Sequence, residues 1–312
     1  MKIGIDMMGG DFAPLEAVKG VKAFLQMGSP STLCLIGDQP LLEKLLKEHG
    51  IEPSSLMIQH APSTIGMHEH PTKALKEKTD SSIAIGFGLL AANKIDAFLS
   101  AGNTGAMLVG THFSIKPLEG VIRPTISTII PKADGKTGLL LDVGLNADCK
   151  PEQLNQFAMM GTVYAQQILG IENPTTGLIN VGEEEGKGNQ LAQATYPLLK
   201  ENSSIHFIGN IEGRDILKTK ADVMVCDGFT GNIILKMAES IYDIAKQQGI
   251  QHAYFDRFNF EDYGGTPILG VAKPVLIGHG ISGEKAFHNM LLLAEKMIKK
   301  DVMNILQKAL KA

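Results

Sequence analysis

Short apolar runs alternate with amphipathic stretches along most of the chain. The apolar runs are rich in β-branched residues and are followed by Gly, Asn or Asp, which predicts strands. These predicted strands are residues 2–7, 32–36, 56–59, 96–100, 125–130, 138–143, 176–181, 205–208, 222–226 and 275–277. Apolar positions with helical spacing lie between them, at residues 15–27, 41–49, 82–92, 151–169 and 190–200. Such alternation predicts an α/β fold with a mostly parallel sheet flanked by helices.

Two more helical stretches depart from this alternation. Residues 232–248 form one, which ends near Gly249 and precedes an aromatic patch at residues 254–260. The patch is typical of a docked turn or a subunit contact, with a functional surface as the alternative. Apolar residues recur every three or four positions from 282 to the C-terminus, which predicts a long amphipathic helix packed on the sheet. Because no linker-like segment interrupts the chain, we predict one α/β unit over residues 1–312.

Composition narrows the functional classes. The 312 residues carry 29 Lys+Arg against 33 Asp+Glu, a formal net charge of −4, which argues against a general nucleic-acid binder. The 3 cysteines are far apart and form no CxxC pair, as expected in a reducing compartment. We therefore expect a cytoplasmic protein. Asp6 interrupts the N-terminus before an apolar signal segment could form, and the Gly-rich stretch at 97–115 is a poor membrane span.

Glycine-rich loops follow several predicted strands. They are residues 8–11, 100–105, 182–189, 227–232 and 278–280. Open α/β sheets bind ligands at the carboxyl ends of their strands, and the free N–H groups of a following helix favour anions. Loops that converge there predict a site for phosphate or a phosphate ester, although each loop alone also fits a plain turn.

Familiar cofactor and metal motifs do not fit the sequence. The run Gly135-Lys136-Thr137 is not a P-loop, because Ile130 stands where the first glycine is required. The chain lacks a GxGxxG fingerprint after its first strand, a GxSxG elbow and an HExxH motif. His68-Glu69-His70 is followed at once by Pro71 and has no obvious third ligand. We therefore expect neither a cofactor nor a metal.

Polar side chains in the loops are the candidates for chemistry. Arg214, one of three arginines, directly follows a predicted strand and could clamp phosphate through two hydrogen bonds. Lys187 stands between glycines, and Asp227 and Asn232 bracket another loop. The structural alternatives are a solvated helix start for Lys187 and a capped turn for Asp227 and Asn232.

The ordered motifs resemble the bacterial phosphate acyltransferases of phospholipid synthesis, the PlsX family. The resemblance runs from residue 1 to about residue 290. It rests on residues 4–14, 100–106, 141–144 with Asn146, 148–151, 182–189, 209–215, 226–232, 263–265, 269–270 and 278–280.

This resemblance implies a reaction and a fold. The reaction is transfer of a long-chain acyl group from acyl carrier protein to inorganic phosphate, which gives acyl phosphate for a membrane-bound glycerol-3-phosphate acyltransferase. The fold implied is Rossmann-like, of the isocitrate dehydrogenase and phosphotransacetylase type, in a homodimer. No covalent nucleophile is needed, because the enzyme positions phosphate and stabilises charge on the carbonyl oxygen.

The same resemblance suggests roles for individual residues. We expect Lys187 and Asn232 to face the developing oxyanion and thiolate, with Asp227 orienting Lys187 or a phosphate proton. The expected phosphate-binding residues are Gly9, Gly10, Asp11, Asn103, Thr104, Gly105, Arg214, Gly228 and Gly231.

Compared with the family, the helical arm at about 233–262 is short, and residues 68–70 replace a carboxylate-rich stretch. In the family the arm is thought to touch the membrane, and here the aromatic patch could serve instead. A protein that uses acyl carrier protein, which is acidic, needs a basic patch. The candidates are Lys73, Lys76 and Lys78, or Lys296, Lys299 and Lys300.

Three other functions stay open from the sequence. A phosphotransacetylase or phosphobutyryltransferase that uses coenzyme A would share the fold and the phosphate site. A non-catalytic anion-binding scaffold is the second possibility. It would not need Lys187, Arg214 and Asn232 together, so the presence of all three argues against it. Fold analogy alone suggests a nicotinamide dehydrogenase.

Overall fold

The computed structural model describes residues 1–218 and 220–311. Its strands are β1 (Lys2–Asp6), β2 (Thr32–Gly37), β3 (Met57–His60), β4 (Ala97–Ser100), β5 (Thr125–Pro131), β6 (Thr137–Leu141), β7 (Thr175–Asn180), β8 (His206–Glu212), β9 (Val223–Val225), β10 (Thr266–Leu269) and β11 (Val275–Ile277). The helices are α1 (Leu15–Gln26), α2 (Gln39–Glu48), α3 (Pro71–Glu77), α4 (Ser82–Ala91), α5 (Thr104–Ser114), α6 (Pro151–Tyr164), α7 (Gln190–Glu201), α8 (Gly228–Gln247), α9 (Ala253–Asp256), α10 (Glu284–Lys299) and α11 (Val302–Ala309). Short helical turns occur at Pro53–Ser55, Ala165–Leu169, Gly213–Asp215 and Phe260–Tyr263.

Internal packing divides the chain into two compact units. Unit one comprises Met1–Pro117 and Phe260–Lys299, and unit two comprises Leu118–Asn259 and Lys300–Ala312. The sequence predicts one catalytic unit over residues 1–312. It stays a prediction that the two compact units act together in catalysis.

Unit one contains a mostly parallel sheet. Its strands lie in the order β3-β2-β1-β4-β11-β10, and all neighbours are parallel except β10 and β11. Every residue of β4 is buried. Its first three residues are therefore all apolar, without the alternation of apolar and polar residues that a half-exposed strand shows. Helix α10 packs on α1, β1, β4 and β11, as predicted.

Unit two repeats this architecture. Its strands lie in the order β5-β6-β9-β7-β8, with an antiparallel pair at β5 and β6 and parallel pairs elsewhere. The buried face of α6 packs on β6 and β9. The predicted α/β fold with mostly parallel strands is thereby confirmed in each unit.

Side-chain caps fix where several helices begin after their strands. Asp38, Asn103, Asn189 and Asp227, which follow β2, β4, β7 and β9, each accept a hydrogen bond from a backbone N–H in the first turn of the following helix. Ser81 caps α4 in the same way, after α3. A cap satisfies one of the otherwise unpaired N–H groups of a helix start. The loops after these strands are therefore held in one conformation at the edge where ligands bind.

The structure corrects part of the predicted element pattern. The single helix predicted at 282–311 is two helices, α10 and α11, because Asp301 adopts a left-handed conformation with φ of 51°. Strand β10 and helices α3 and α5 were not predicted. In α5 the glycines weaken the helical pattern, yet Gly110 packs so closely on the Phe87 ring that a methyl group there would overlap it.

Within unit two the rings of the aromatic patch pack on one another, whereas Phe260 belongs to unit one, where its ring centroid lies 5.0 Å from that of His279. The ring of Tyr254 meets Phe258 edge to face, with centroids 5.3 Å apart, and Phe258 is buried. Arg257 donates a hydrogen bond to the Lys132 carbonyl at 2.9 Å. Across residues 1–218 and 220–311, no helix has both the length and the apolar character needed to cross a bilayer.

Candidate functional site

In unit one, the loops after β1 and β4 are joined through a buried carboxylate. Asp6 accepts a hydrogen bond from Ser100 Oγ at 2.6 Å and from the Met8 N–H at 2.9 Å. Ser100 Oγ in turn accepts from the Gly102 N–H at 2.9 Å. Burial raises the pKa of Asp6, and these hydrogen bonds oppose that rise. A Cβ on Gly9 would lie 2.6 Å from the Gly102 nitrogen, so this approach of the two loops requires glycine.

Asn103 is buried and uses its side chain within the protein. Its Oδ1 caps α5 by accepting from the Ala106 N–H at 2.9 Å. Its Nδ2 donates to the carbonyls of Gly66 at 3.0 Å and Glu69 at 3.0 Å, and to that of Met67 at 3.2 Å. The segment with His68-Glu69-His70 is therefore a turn wrapped around Asn103. The Glu69 carboxylate also accepts from Lys78 Nζ at 2.6 Å, which lowers its pKa.

The other predicted phosphate-binding residues of unit one line these same loops. Gly10 has φ of 109°, and the Asp11 N–H donates to the Gly280 carbonyl at 2.7 Å. Thr104 is exposed at the first position of α5. Gly105 lies against Pro71, where a methyl group would overlap the proline ring. Because β1 and β4 are neighbouring parallel strands, the structure brings these candidates together at one edge of unit one.

Unit two has a second buried carboxylate, at the end of β6. Asp142 accepts from the Ile126 N–H at 2.9 Å and from the Asn146 N–H at 2.6 Å. Burial raises its pKa, against the effect of these hydrogen bonds. The Gly228 N–H donates to the Asn146 carbonyl at 2.7 Å, and a methyl group on Gly231 would overlap the Asp142 carbonyl oxygen. The two predicted glycines thus let the start of α8 pack directly on this loop.

Asp227 and Asn232 lie at the start of α8. Asp227 is the N-cap, with one carboxylate oxygen accepting from the Thr230 N–H at 2.8 Å and the other from Thr230 Oγ1 at 2.9 Å. Asn232 is exposed, and its Nδ2 donates to the Val143 carbonyl at 3.2 Å. Gly144, with φ of 127°, leaves room for this amide. An amide nitrogen carries two N–H donors, so Asn232 keeps one for another acceptor.

Lys187 lies in the loop between β7 and α7. The loop backbone is fixed by Asn180 Nδ2, which donates to the Lys187 carbonyl at 3.0 Å, and by the Lys187 N–H, which donates to the Glu184 carbonyl at 3.1 Å. The neighbouring acids are paired, Glu185 with Lys200 at 3.0 Å and Glu183 with Lys220. In the described part of the chain, no carboxylate pairs with Lys187, whose side chain is exposed.

Arg214 lies in the helical turn after β8, next to the Lys187 loop. Lys220, which pairs with Glu183 of that loop, also lies 3.7 Å from Asp215 and links the two segments. The guanidinium of Arg214 forms an ion pair with Glu212, and the side chain is 71% exposed. A phosphate would therefore meet it at the surface.

A mostly apolar cavity of about 320 Å³ opens among these elements of unit two. Its walls come from β7, α6, α7, α8 and the segment after β8. Val181 and Asn189, which lie at the two ends of the Lys187 loop, and the cap residue Asp227 line it.

Cys226 also lines this cavity, and Cys149 lies nearby in the Asn146 loop. Burial, together with the negative charge of Asp142, raises the pKa of the Cys149 thiol to about 12. Burial likewise raises the pKa of Cys226 well above its usual value. Thiols of this kind are poor nucleophiles. Among the described residues, no cluster of three or more His, Cys, Asp or Glu side chains is arranged to hold a metal ion.

Sequence reasoning gave no role to Asp6, Asp142 or Asn180, which hold the candidate loops. A signal for the two aspartates was present, since each ends an apolar strand run just before glycines. Asn180 had no such signal, because its partner Lys187 is defined only by the folded loop.

Comparison with known proteins gives consistent matches over nearly the whole chain. The model of a family described as "Fatty acid synthesis protein" matches residues 1–305. A phosphate acyltransferase of Dictyoglomus turgidum is 42% identical over 322 residues, which cover 97% of this chain and 95% of that protein. A phosphate acyltransferase of Aquifex aeolicus is 43% identical over 326 residues, covering 96% and 94%.

Solved structures match the fold at low sequence identity. The EutD phosphotransacetylase from Staphylococcus aureus superposes with a TM-score of 0.64 at 15% identity, covering 95% of this chain and 94% of that chain. A phosphotransacetylase from Streptococcus pyogenes gives 0.64 at 17% identity, covering 100% and 94%. The predicted phosphotransacetylase-type fold is confirmed by these matches, which concern the fold alone.

Proposed function

The chain belongs to the phosphate acyltransferase family, as its motifs predict, and from that premise we propose that it transfers a long-chain fatty acyl group from acyl carrier protein to inorganic phosphate. The product is an acyl phosphate, and its use is phospholipid synthesis.

One observation carries this proposal beyond family membership. Strands β7 and β9 are parallel neighbours, with Leu178 opposite Val225. The loop with Lys187 follows β7, and helix α8, whose fifth residue is Asn232, follows β9. An exposed ammonium group and an amide donor thus lie at one edge of the sheet, where open α/β sheets bind their ligands. Such donors stabilise negative charge that develops on a carbonyl oxygen.

The reaction needs positioning rather than a covalent intermediate. A phosphate oxygen attacks the thioester carbonyl, the carbonyl π electrons move to its oxygen, and the C–S bond then breaks as the carbonyl re-forms. The thiolate of the carrier leaves and takes up the proton that hydrogen phosphate releases. Cys149 and Cys226 are not required, in keeping with their raised pKa values.

We assign the oxyanion and the leaving thiolate to Lys187 and Asn232. Asp227 is a positioning residue, because both of its carboxylate oxygens hold the first turn of α8, which leads directly to Asn232. That Asp227 also orients Lys187 or a phosphate proton stays a prediction.

For phosphate, each unit offers its own candidate groups. In unit one these are the N–H groups at Gly9, Gly10, Thr104 and Gly105. Asn103 would act indirectly, by capping the start of α5, and Asp11 lies at the end of the loop after β1. In unit two the candidate is Arg214. Gly228 and Gly231 would act by allowing close backbone packing at the start of α8, because the N–H groups of Gly228, Thr230 and Gly231 are already hydrogen-bonded within the protein. Arginine and helix N-termini are both ordinary phosphate ligands.

The deciding experiment mixes the purified protein with palmitoyl acyl carrier protein and phosphate and follows the free carrier thiol. Parallel samples contain palmitoyl coenzyme A in place of the carrier substrate, or no phosphate. Phosphate-dependent thiol release from the carrier supports the proposal. Release only from coenzyme A supports a coenzyme A-dependent phosphotransacylase, and release from neither donor supports an anion-binding scaffold.

Recognition of the acidic carrier requires exposed basic side chains. On α3, Lys76 is exposed and Lys73 pairs weakly with Glu77 at 3.9 Å, whereas Lys78 is held by Glu69. On α10, Lys296 and Lys299 are exposed. We propose Lys73 and Lys76 as the carrier contact, and K73E/K76E should raise the KM for the carrier substrate and leave that for phosphate unchanged.

Homodimer formation is a further part of the proposal. Helix α8 presents a row of exposed apolar side chains at helical spacing, namely Phe229, Ile233, Met237 and Ile244. A second copy of the chain would remove this surface from water. Sedimentation of wild-type protein and of M237E tests it, since a dimer that uses this face should dissociate in the variant. Flotation with liposomes separately tests a peripheral membrane contact. Cytoplasmic localisation and a partnership with the membrane-bound acyltransferase are further parts of the proposal, and co-purification with that acyltransferase tests the partnership.

A further inference from the structure

The cavity of unit two has walls suited to hydrocarbon. Apolar side chains from β7, α6, α7, α8 and the segment after β8 form them, namely Leu178, Leu154, Leu191, Ile234 and Ile216. A cavity of about 320 Å³ lies in the size range of small-molecule sites.

The polar side chains that line the cavity already have partners in the protein. Asn180 binds the backbone of Val181 and Lys187, and Asn189 caps α7. Asp227 and Thr230 bind each other. None of the buried side-chain polar atoms that lack a hydrogen bond in the described residues belongs to the lining. An apolar chain in the cavity would leave all of these hydrogen bonds intact.

The cavity also adjoins the groups assigned to the reaction. Val181 and Asn189 flank the Lys187 loop, and Asn180 donates to the Lys187 carbonyl at 3.0 Å. Thr230 lies two positions before Asn232 on α8. A chain held in the cavity therefore has its head group next to this loop and this helix start.

We propose that this cavity binds the saturated acyl chain of the donor and thereby helps set its preferred length, an inference that rests on the proposed function for the position of the thioester. A water molecule takes about 30 Å³ of liquid volume and a methylene group is similar in size, so the cavity of about 320 Å³ holds about ten methylene groups. Each buried methylene strengthens binding about fourfold. The affinity of alkyl phosphates should therefore rise steeply with length to about ten carbons and then level off.

Binding can be tested without turnover because the chain has 0 tryptophans. The variant I234W places the only tryptophan in the cavity wall, and V181W places it at a lining position that is 80% exposed, where folding is not at risk. I122W is the matched control, since Ile122 is 50% exposed in the same unit and does not line the cavity. The probes are linear alkyl phosphates from butyl to tetradecyl, and 10-bromodecyl phosphate as a contact quencher.

Saturable quenching in I234W and V181W with little in I122W supports the cavity as the chain site. An affinity that levels off near ten carbons in V181W, whose substitution does not fill the cavity, supports it as well. Equal quenching in all three variants, or none, overturns it. In turnover assays I234W should lose about tenfold or more in kcat/KM for palmitoyl relative to octanoyl carrier substrate, because its indole fills the space of several methylenes. An unchanged ratio in folded I234W also overturns it.

The two proposals fail in different ways. If wild-type protein releases carrier thiol with phosphate but the cavity variants show no quenching, the acyl-chain site is wrong and the proposed function stands. If the bromoalkyl phosphate binds in the cavity but no donor is turned over, the proposed function is wrong and the cavity stands as an alkyl-chain site.

Discussion

Replacing Lys187 by alanine is the most direct perturbation of the candidate site. The ammonium group is exposed and pairs with no carboxylate in the described residues, so its removal leaves no partner unsatisfied. The loop is held by backbone contacts that alanine keeps, to Asn180 at 3.0 Å and Glu184 at 3.1 Å. We therefore expect the free energy of unfolding to change by no more than about 0.5 kcal/mol.

The catalytic effect should be much larger than the structural one. Loss of one donor to a developing oxyanion costs about 10²- to 10³-fold in kcat, or about 2.7–4 kcal/mol of transition-state stabilisation. The assay is phosphate-dependent release of carrier thiol from palmitoyl acyl carrier protein, with kcat and the KM for phosphate determined separately. Urea unfolding of the same samples measures stability.

Lys200→Ala is the matched control, because it removes another exposed lysine beside the same loop. Its ion pair with Glu185, at 3.0 Å, is at the surface and contributes little. We expect its kcat to stay within about twofold of wild type. The assignment is refuted if Lys187→Ala turns over as fast as Lys200→Ala, or if its defect lies entirely in the KM for phosphate.

Three other predictions concern the groups that support the site and the fold. Gly231→Ala places a methyl group on the Asp142 carbonyl oxygen and should destabilise the protein by about 1–3 kcal/mol in urea unfolding; a change below about 0.5 kcal/mol would contradict the packing. Asp6→Asn changes a buried acceptor and should cost about 1–3 kcal/mol, so an unaltered urea midpoint would show that its hydrogen bonds are dispensable. At Glu295, burial favours a higher pKa, but hydrogen bonds from Lys299 and two serines outweigh it and lower the pKa from 4.5 to about 2. Its contribution to stability is therefore complete above about pH 5 and lost as the pH falls towards 2, about 2 kcal/mol after allowance for solvent screening of the lysine. The stability difference between wild type and Glu295→Gln should shrink over that range, and a pH-independent difference would be the contrary result.

The sequence pattern predicts those elements whose signal is local. The buried strands of both sheets show as apolar runs, and the capped helices after them show as Asp, Asn or Ser before a periodic stretch. The pattern fails where distant packing decides the structure. Apolar spacing continues through Asp301, so it cannot reveal the left-handed residue that separates α10 from α11. In α5, glycine is a poor helix former, and only the fit of Gly110 against Phe87 explains its place there.

The candidate site shows the same division between local and distant causes. Glycine-rich loops after strands point to the ligand-binding edge, and the structure puts candidates on that edge in each unit. What each side chain does within a loop depends on partners far along the chain. The amide of Asn103 faces carbonyls more than thirty positions earlier, so it cannot be recognised from the sequence as a side chain already in use.

We propose that loop packing and catalysis depend on different residues of the candidate site, because burying a charge is costly. Asp6 and Asp142 are fully buried, and their carboxylates are spent on backbone N–H groups and nearby side chains that hold loops in place. A buried group with all its hydrogen bonds made has nothing left for a substrate, whereas exposed Lys187 and Asn232 keep free donors on a backbone that other residues fix. Substitutions at the two aspartates should therefore lower stability first, and those at Lys187 and Asn232 should lower turnover first.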